Sequence, residues 1–422
     1  MYHKFKKFFS FFIIIFSLLL TFPLHCFSAQ IDTSEELSSL ENFSVSIQAS
    51  NQASTTPEIN SRAAIVFEKS TGTILYGKNE NEQRKMASTT KIMTCVVVLE
   101  NISDLSQIVT VSRKAAGIGG SRLGLTTDAQ ITVNDLLYGL MLCSGNDAAI
   151  ALAEFVGGSV EGFASLMNNK ATELGLTNTH FVTPHGLDND EHYTTAYELA
   201  LLTNYALKNE TFRKIVSTHS CSVTINNSPK MLHNTNELLG YLDGVYGVKT
   251  GFTNGANRCL VSACKRGNMD IICIVLGADT KKFRTQDSIK LIEYAFSNFE
   301  MVDIESIIEN KFSNWQTENS SYFSINKGVN SNVSTSLQDI QFKYFPVNKA
   351  NIKDICVDFS CIFSFEAPLL EGTKIGSLCC YLGDKNICEL DIYCSNSVLK
   401  KDITFYFRNF IENYSSYLEN IF

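Results

Sequence analysis

Met86-Ala87-Ser88-Thr89-Thr90-Lys91-Ile92-Met93-Thr94 passes from small and polar residues into the apolar run Ile92 to Leu99, the pattern of a helix that starts at or just before Ser88. A spacing of three then puts the Ser88 hydroxyl and the Lys91 amine on one helix face, close to the positive end of the helix. Serine is a poor nucleophile until a base takes its proton, and a lysine partly desolvated in a cleft can be that base. Ser-x-x-Lys alone is weak evidence, since chance matches are common and most are a helix cap beside a surface lysine.

Two further triplets follow in order. Ser144-Gly145-Asn146 comes after the apolar stretch Leu136 to Leu142 and before Ala148-Ala149-Ile150-Ala151-Leu152-Ala153, so it occupies a tight connection between two packed helices. Lys249-Thr250-Gly251 precedes two strand-like runs, Cys259 to Cys264 and Met269 to Gly277, separated by the turn Arg266-Gly267-Asn268. Lys249 therefore sits on or beside a strand of an antiparallel sheet, whose edge offers main-chain donors and acceptors to an extended substrate. Ser-x-x-Lys, Ser-x-Asn and Lys-Thr-Gly in that order form the signature of penicillin-binding proteins and serine β-lactamases.

The flanking sequence supplies a scaffold. Ala63 to Phe67 and Thr73 to Tyr76, joined by Ser70-Thr71-Gly72, read as a hairpin. Asn134 is placed as the N-cap of the helix running into Ser144. Helices are expected from Asp147 to Val156, from Val160 to Leu174 with Gly175 closing it, from Thr194-Thr195-Ala196 onward, and from Arg284 to about Phe299. His185, between Pro184 and Gly186, reads as a loop histidine with structural hydrogen bonds ahead of a general base. Beyond Asp303, β-like runs such as Tyr322 to Ile325 and Ile355 to Phe359 suggest a separate small β-domain. A final stripe of Ile403, Phe407, Phe410, Tyr414, Tyr417 and Ile421 suits either a membrane surface or docking onto that domain.

The chain of 422 residues, 45% of them hydrophobic, is long enough for two domains and a sizeable core. Residues 1–29 read as an export signal, with Lys4, Lys6 and Lys7 ahead of an apolar run and small residues after it. Residues 30–60 read as a polar linker. Loss of the leader's three lysines takes the formal net charge from −8 to −11, a poor basis for nucleic-acid binding. Thirteen cysteines show no metal-ligand spacing, and no metal or other cofactor is expected; buried free thiols are the working expectation, with any pairing open.

With Ser61 to Val66 before the motifs and Thr183-Pro184-His185-Gly186-Leu187 between them, the chain resembles the low-molecular-weight penicillin-binding proteins, specifically the serine-type D-alanyl-D-alanine carboxypeptidases. The resemblance implies an α+β fold, an antiparallel sheet flanked by helices with a helical lobe, over residues 61–300. A small C-terminal β-domain (301–398) and an amphipathic helix (399–422) would follow. It makes Ser88 the acylated nucleophile, Lys91 its base and Ser144 a proton relay. Asn146 would hold the substrate amide, Lys249 would add positive potential at the cleft, and Thr250 and Thr253 would contact the terminal carboxylate, with Gly251 among the substrate-binding residues and Arg284 in support. Main-chain N–H groups of Ser88 and of the strand near Thr253 would form the oxyanion hole. The implied partners are peptidoglycan stems ending in D-Ala-D-Ala and β-lactam antibiotics, met on the outer face of the bacterial cytoplasmic membrane or in the wall. Ala256-Asn257 departs from the family's Ala-Gly. The alternatives are a serine β-lactamase, for which Glu173 comes closest to a deacylating glutamate, and a catalytically silent wall-binding homologue.

Overall fold

The computed structural model describes residues 56–419. The expected leader and most of the linker lie outside the described residues. A five-stranded antiparallel sheet organises the first part, built from β1 (Ala63–Glu68), β2 (Ile74–Lys78), β3 (Val245–Thr253), β4 (Asn257–Arg266) and β5 (Met269–Ala278). Their order across the sheet is β2-β1-β5-β4-β3, which leaves β3, the strand of Lys249, at an edge. The register sets Lys249 opposite Val261, Val261 opposite Ile274, and Ile274 opposite Ile65.

Both faces of the sheet are covered, which is why its central strands are continuous apolar runs rather than alternating ones. Side chains on successive residues point to opposite faces. Ile65, Phe67, Val261, Ile272 and Ile274 join a core with α1 (Lys91–Asn101), α2 (Val133–Met141), α3 (Asn146–Gly157), α4 (Val160–Glu173) and α5 (Ala196–Ala206). Ala64, Val66, Leu260, Ile271 and Val275 pack on the other face with Leu291, Ile292 and Ala295 of α6 (Lys281–Asn298). The hairpin, the paired helices around Ser144 and the closing helix thus form as the sequence indicated.

The cap of α2 differs. Thr132, extended at the end of a short strand, accepts the Asp135 N–H through its hydroxyl at 3.0 Å. Asn134 lies inside the first turn instead.

The C-terminal part is not all β. After β6 (Phe299–Asp303), α7 (Ile304–Asn319) buries Ile304, Ile308, Phe312 and Trp315, a helix where the sequence suggests only a β-domain. β6 pairs with β7 (Tyr344–Asn348), and a four-stranded sheet places β9 (Lys374–Leu382) between β8 (Ile355–Cys361) and β10 (Lys385–Cys394). Trp315 stacks on Phe312 and Phe359, ring centroids 5.9 and 5.2 Å away, at the centre of this core. The last helix, α8 (Ile403–Glu419), does not dock on it: Ile403 is 86% exposed, and Phe407 and Phe410 are 64% and 66% exposed. Among the described residues no single helix is long and apolar enough to cross a membrane.

Candidate active site

The serine sits on a 3-10 turn, Ala87–Thr90, immediately ahead of α1. Ala87 enters that turn with φ of 48°, a left-handed conformation that costs a non-glycine residue energy and persists only where surroundings enforce it. Thr89 and Thr90 supply part of that enforcement, their hydroxyls donating to the carbonyls of Met86 at 2.6 Å and Ala87 at 2.8 Å. In a 3-10 turn, residues three apart eclipse, so Ser88 and Lys91 are brought together even more directly than an α-helix would bring them.

Lys91 is wholly buried, and its Nζ lies 2.9 Å from Ser88 Oγ, 2.8 Å from Asn146 Oδ1 and 2.9 Å from the His185 carbonyl oxygen. A neutral amine has two N–H donors and one lone pair. Donation to Asn146 and His185 uses both hydrogens and turns the lone pair toward the Ser88 proton. Burial, reinforced by the nearby Lys249 charge, holds Lys91 well below the ordinary lysine range, in keeping with that neutral form.

The other two motifs close around this pair. Ser144, with φ of 60° and only 6% exposed, stands between α2 and α3. Two residues on, Asn146 opens α3, its Nδ2 donating to the Gly119 carbonyl at 2.8 Å while its Oδ1 meets Lys91. From the sheet, Gly251 lies so close to the serine turn that a Cβ there would stand 3.2 Å from the Ser88 nitrogen. Lys249 is 1% exposed and donates to the Thr250 carbonyl at 2.8 Å; burial, with the Arg284 charge acting in the same direction, brings it down to about 7.

The residues expected at a carboxylate are each engaged. Thr250 and Thr235 share a hydrogen bond between hydroxyls at 2.8 Å, and Thr253 donates to Asp188 at 2.6 Å. Arg284, 4% exposed, is ion-paired with Glu237. Its charge is therefore balanced inside the protein.

The sequence model of peptidase family S11, D-alanyl-D-alanine carboxypeptidase, matches residues 50–280. The chain belongs to that family. A second model, the C-terminal domain of penicillin-binding protein 5, matches residues 318–400. The D-alanyl-D-alanine carboxypeptidase DacF of Bacillus subtilis is 40% identical over 268 residues, covering 62% of this chain and 69% of the relative. DacA of Haemophilus influenzae is 30% identical over 381 residues, 85% of this chain and 90% of the relative. Penicillin binding protein 5 from Haemophilus influenzae superposes with a TM-score of 0.66 at 28% identity, over 82% of this chain and all of that one.

This D-alanyl-D-alanine carboxypeptidase also relies on residues that spacing gave no reason to select. Asp147, fully buried, accepts the N–H groups of Leu123 and Gly124 at 2.7 Å and of Leu125 at 2.9 Å. It pins the loop whose Gly119 carbonyl orients Asn146. His192 Nδ1 accepts the Val182 N–H at 3.0 Å, which fixes its proton on Nε2, 2.7 Å from Thr90 Oγ1. Since Thr90 donates in turn to Ala87, this histidine braces the serine turn. Burial, with His180 adding repulsion, takes it down to about 4, and His185 falls to about 3 through burial and the Lys91 charge. His185 accepts the Leu187 N–H at its Nδ1, 3.1 Å away, and serves Lys91 only through its backbone oxygen.

Proposed function

We propose that Ser88 attacks the penultimate D-alanine carbonyl of a peptidoglycan pentapeptide stem and expels the terminal D-alanine as the acyl-enzyme forms; water then hydrolyses that ester, releasing the shortened stem and restoring Ser88. The observation that carries this reading is the 2.9 Å approach of Lys91 Nζ to Ser88 Oγ, with Asn146 and the His185 carbonyl placed to take both hydrogens of the neutral amine. Lys91 takes the hydroxyl proton as the Ser88–acyl bond forms. Main-chain N–H groups of Ser88 and of β3 near Thr253 stabilise the oxyanion, and Ser144 passes a proton to the departing amine. Asn146 retains an N–H and a lone pair for the substrate amide. Lys249, Thr250, Gly251 and Thr253 surround the terminal carboxylate. β-Lactams would enter the same acylation and leave the enzyme blocked.

Glu173 disfavours a β-lactamase with a loop glutamate as its deacylating base, because it is 62% exposed and paired with Lys170 at 2.7 Å. The division into a leader, a linker, a catalytic domain over 61–300, a C-terminal domain over 301–398 and a terminal helix gives the enzyme its place: exported, on the outer face of the membrane or in the wall. The exposed aromatic stripe of α8 supports attachment to a lipid surface by apolar insertion.

The direct test is release of D-alanine from a muramyl pentapeptide. Ser88→Ala protein that folds like the wild type should release none above background; retained release would remove Ser88 from the nucleophile's role.

A further inference from the structure

The segment after His233 touches β3 through Thr235 and carries Glu237, the partner of Arg284. Thr235 meets Thr250 of the Lys-Thr-Gly motif, hydroxyl to hydroxyl, at 2.8 Å. Two residues later, Glu237 Oε1 accepts from both Arg284 and the Thr285 hydroxyl, the latter at 2.5 Å. The side chains of Arg284 and Glu237 are 4% and 11% exposed, so the pair is removed from solvent and from salt screening. Arg284 Nε, Glu237 Oε2 and Asn236 Nδ2 are buried and lack a protein partner, so the cluster keeps unused polar capacity. Burial pushes the Glu237 carboxyl up, but the Arg284 charge and the Thr285 hydrogen bond outweigh it, and Glu237 stays ionised.

Resting on the acyl-enzyme reading above, we propose that Glu237 is a specificity-determining residue of the carboxylate subsite, a fixed counter-ion that cancels the Arg284 charge. Recognition of the free C-terminus then falls to the hydroxyls of Thr250 and Thr235 and to Lys249, and the subsite discriminates against uncharged C-termini less sharply than an unopposed arginine would allow. A carboxylate ligand approaching Arg284 meets a guanidinium already satisfied on one side, with the negative charge of Glu237 behind it. In a buried site of low effective dielectric such a charge acts over the whole subsite.

The test compares kcat/KM for two pentapeptides, one ending in D-alanine with a free carboxylate and one ending in D-alaninamide. Glu237→Gln keeps an oxygen acceptor for Arg284 and Thr285 but removes the charge. It should raise the carboxylate-to-amide ratio roughly tenfold or more, mainly through a lower KM for the acid. Glu237→Asp, which keeps the charge, should stay within about twofold of the wild type. A ratio that is unchanged or lower in folded Glu237→Gln protein overturns the proposal. If that variant is too unstable to assay, Glu237→Ser decides: it also removes the charge while leaving a hydroxyl for Arg284, so the ratio should again rise, and an unchanged or lower ratio in folded protein overturns the proposal. Wild-type protein that releases the terminal residue from neither peptide overturns the acyl-enzyme reading itself.

Discussion

Lys91 and Asn146, 55 positions apart in the chain, are joined by a 2.8 Å hydrogen bond from Nζ to Oδ1 that ties the first motif to the second. The acceptor is a neutral amide, and that neutrality keeps Lys91 free to lose its proton. Asn146→Asp would set a carboxylate at the same place and hold Lys91 as a cation. Acylation by penicillin near pH 7 should then fall about 100-fold or more, the span of one positioned general base. A rate within tenfold of the wild type would show that Lys91 is not acting through its lone pair.

Lys249 supplies the opposite requirement. With its pKa brought down to about 7, it carries its positive charge below that pH and loses it above, whereas Lys91, in the proposed role of base, acts unprotonated. Acylation by an anionic β-lactam should rise with pH as Lys91 deprotonates and fall again through about 7 as Lys249 does; the two lysines interact, so the limbs belong to the pair. Lys249→Arg, charged throughout this range, should abolish the alkaline fall. Stopped-flow acylation rates across the pH range show this directly, and an alkaline limb that persists in the arginine variant would assign it elsewhere.

His192 makes the serine turn sensitive to acid. Its folded-state pKa, about 4, lies below the ordinary histidine value of 6.5, so between those values the unfolded chain binds more protons and stability falls as pH falls. The loss should begin near pH 6.5 and level off below about 4, with His185 extending it toward about 3. His192→Gln should flatten the slope of unfolding free energy against pH. At pH 7 it should also cost about 1–2 kcal/mol through the disturbed hydrogen bonds to Thr90 and Val182. An unchanged slope would mean that His192 is not held neutral in the folded state.

The exposed stripe of α8 gives a separable prediction. Protein ending at Asp402 should release D-alanine as the full chain does but should no longer sediment with phosphatidylcholine vesicles. Because Ile403, Phe407 and Phe410 dominate the exposed face, binding by the full chain should survive high salt. Equal sedimentation of the two forms would place the lipid contact outside the helix.

Local chemistry was legible where one segment contained its own partner. Ser88 and Lys91 are three residues apart, so the turn alone brings them together, and the buried strands β4 and β5 announce themselves as apolar runs. Thr132 was missed as a cap because Asn134 is the equally suitable residue two places on, and only the strand end beside Thr132 decides between them. Helix α7 was missed although Ile304, Ile308, Phe312 and Trp315 keep its period, because the polar residues on its outer face resemble the turns that punctuate the strands beyond. Asp147, His192 and Glu237 left no readable signal. Their partners are backbone N–H groups and side chains from remote segments, and nothing in their own neighbourhood records that encounter.

In the proposed mechanism Ser88, activated by Lys91, is the group that becomes acylated. Mass spectrometry of the folded protein after brief exposure to benzylpenicillin, followed by peptide mapping, tests it most directly. The expected result is one penicilloyl adduct per chain, carried by the peptide containing Ser88 and absent from folded Ser88→Ala protein. An adduct located on any other residue, or none on wild-type protein shown to be folded, would contradict it.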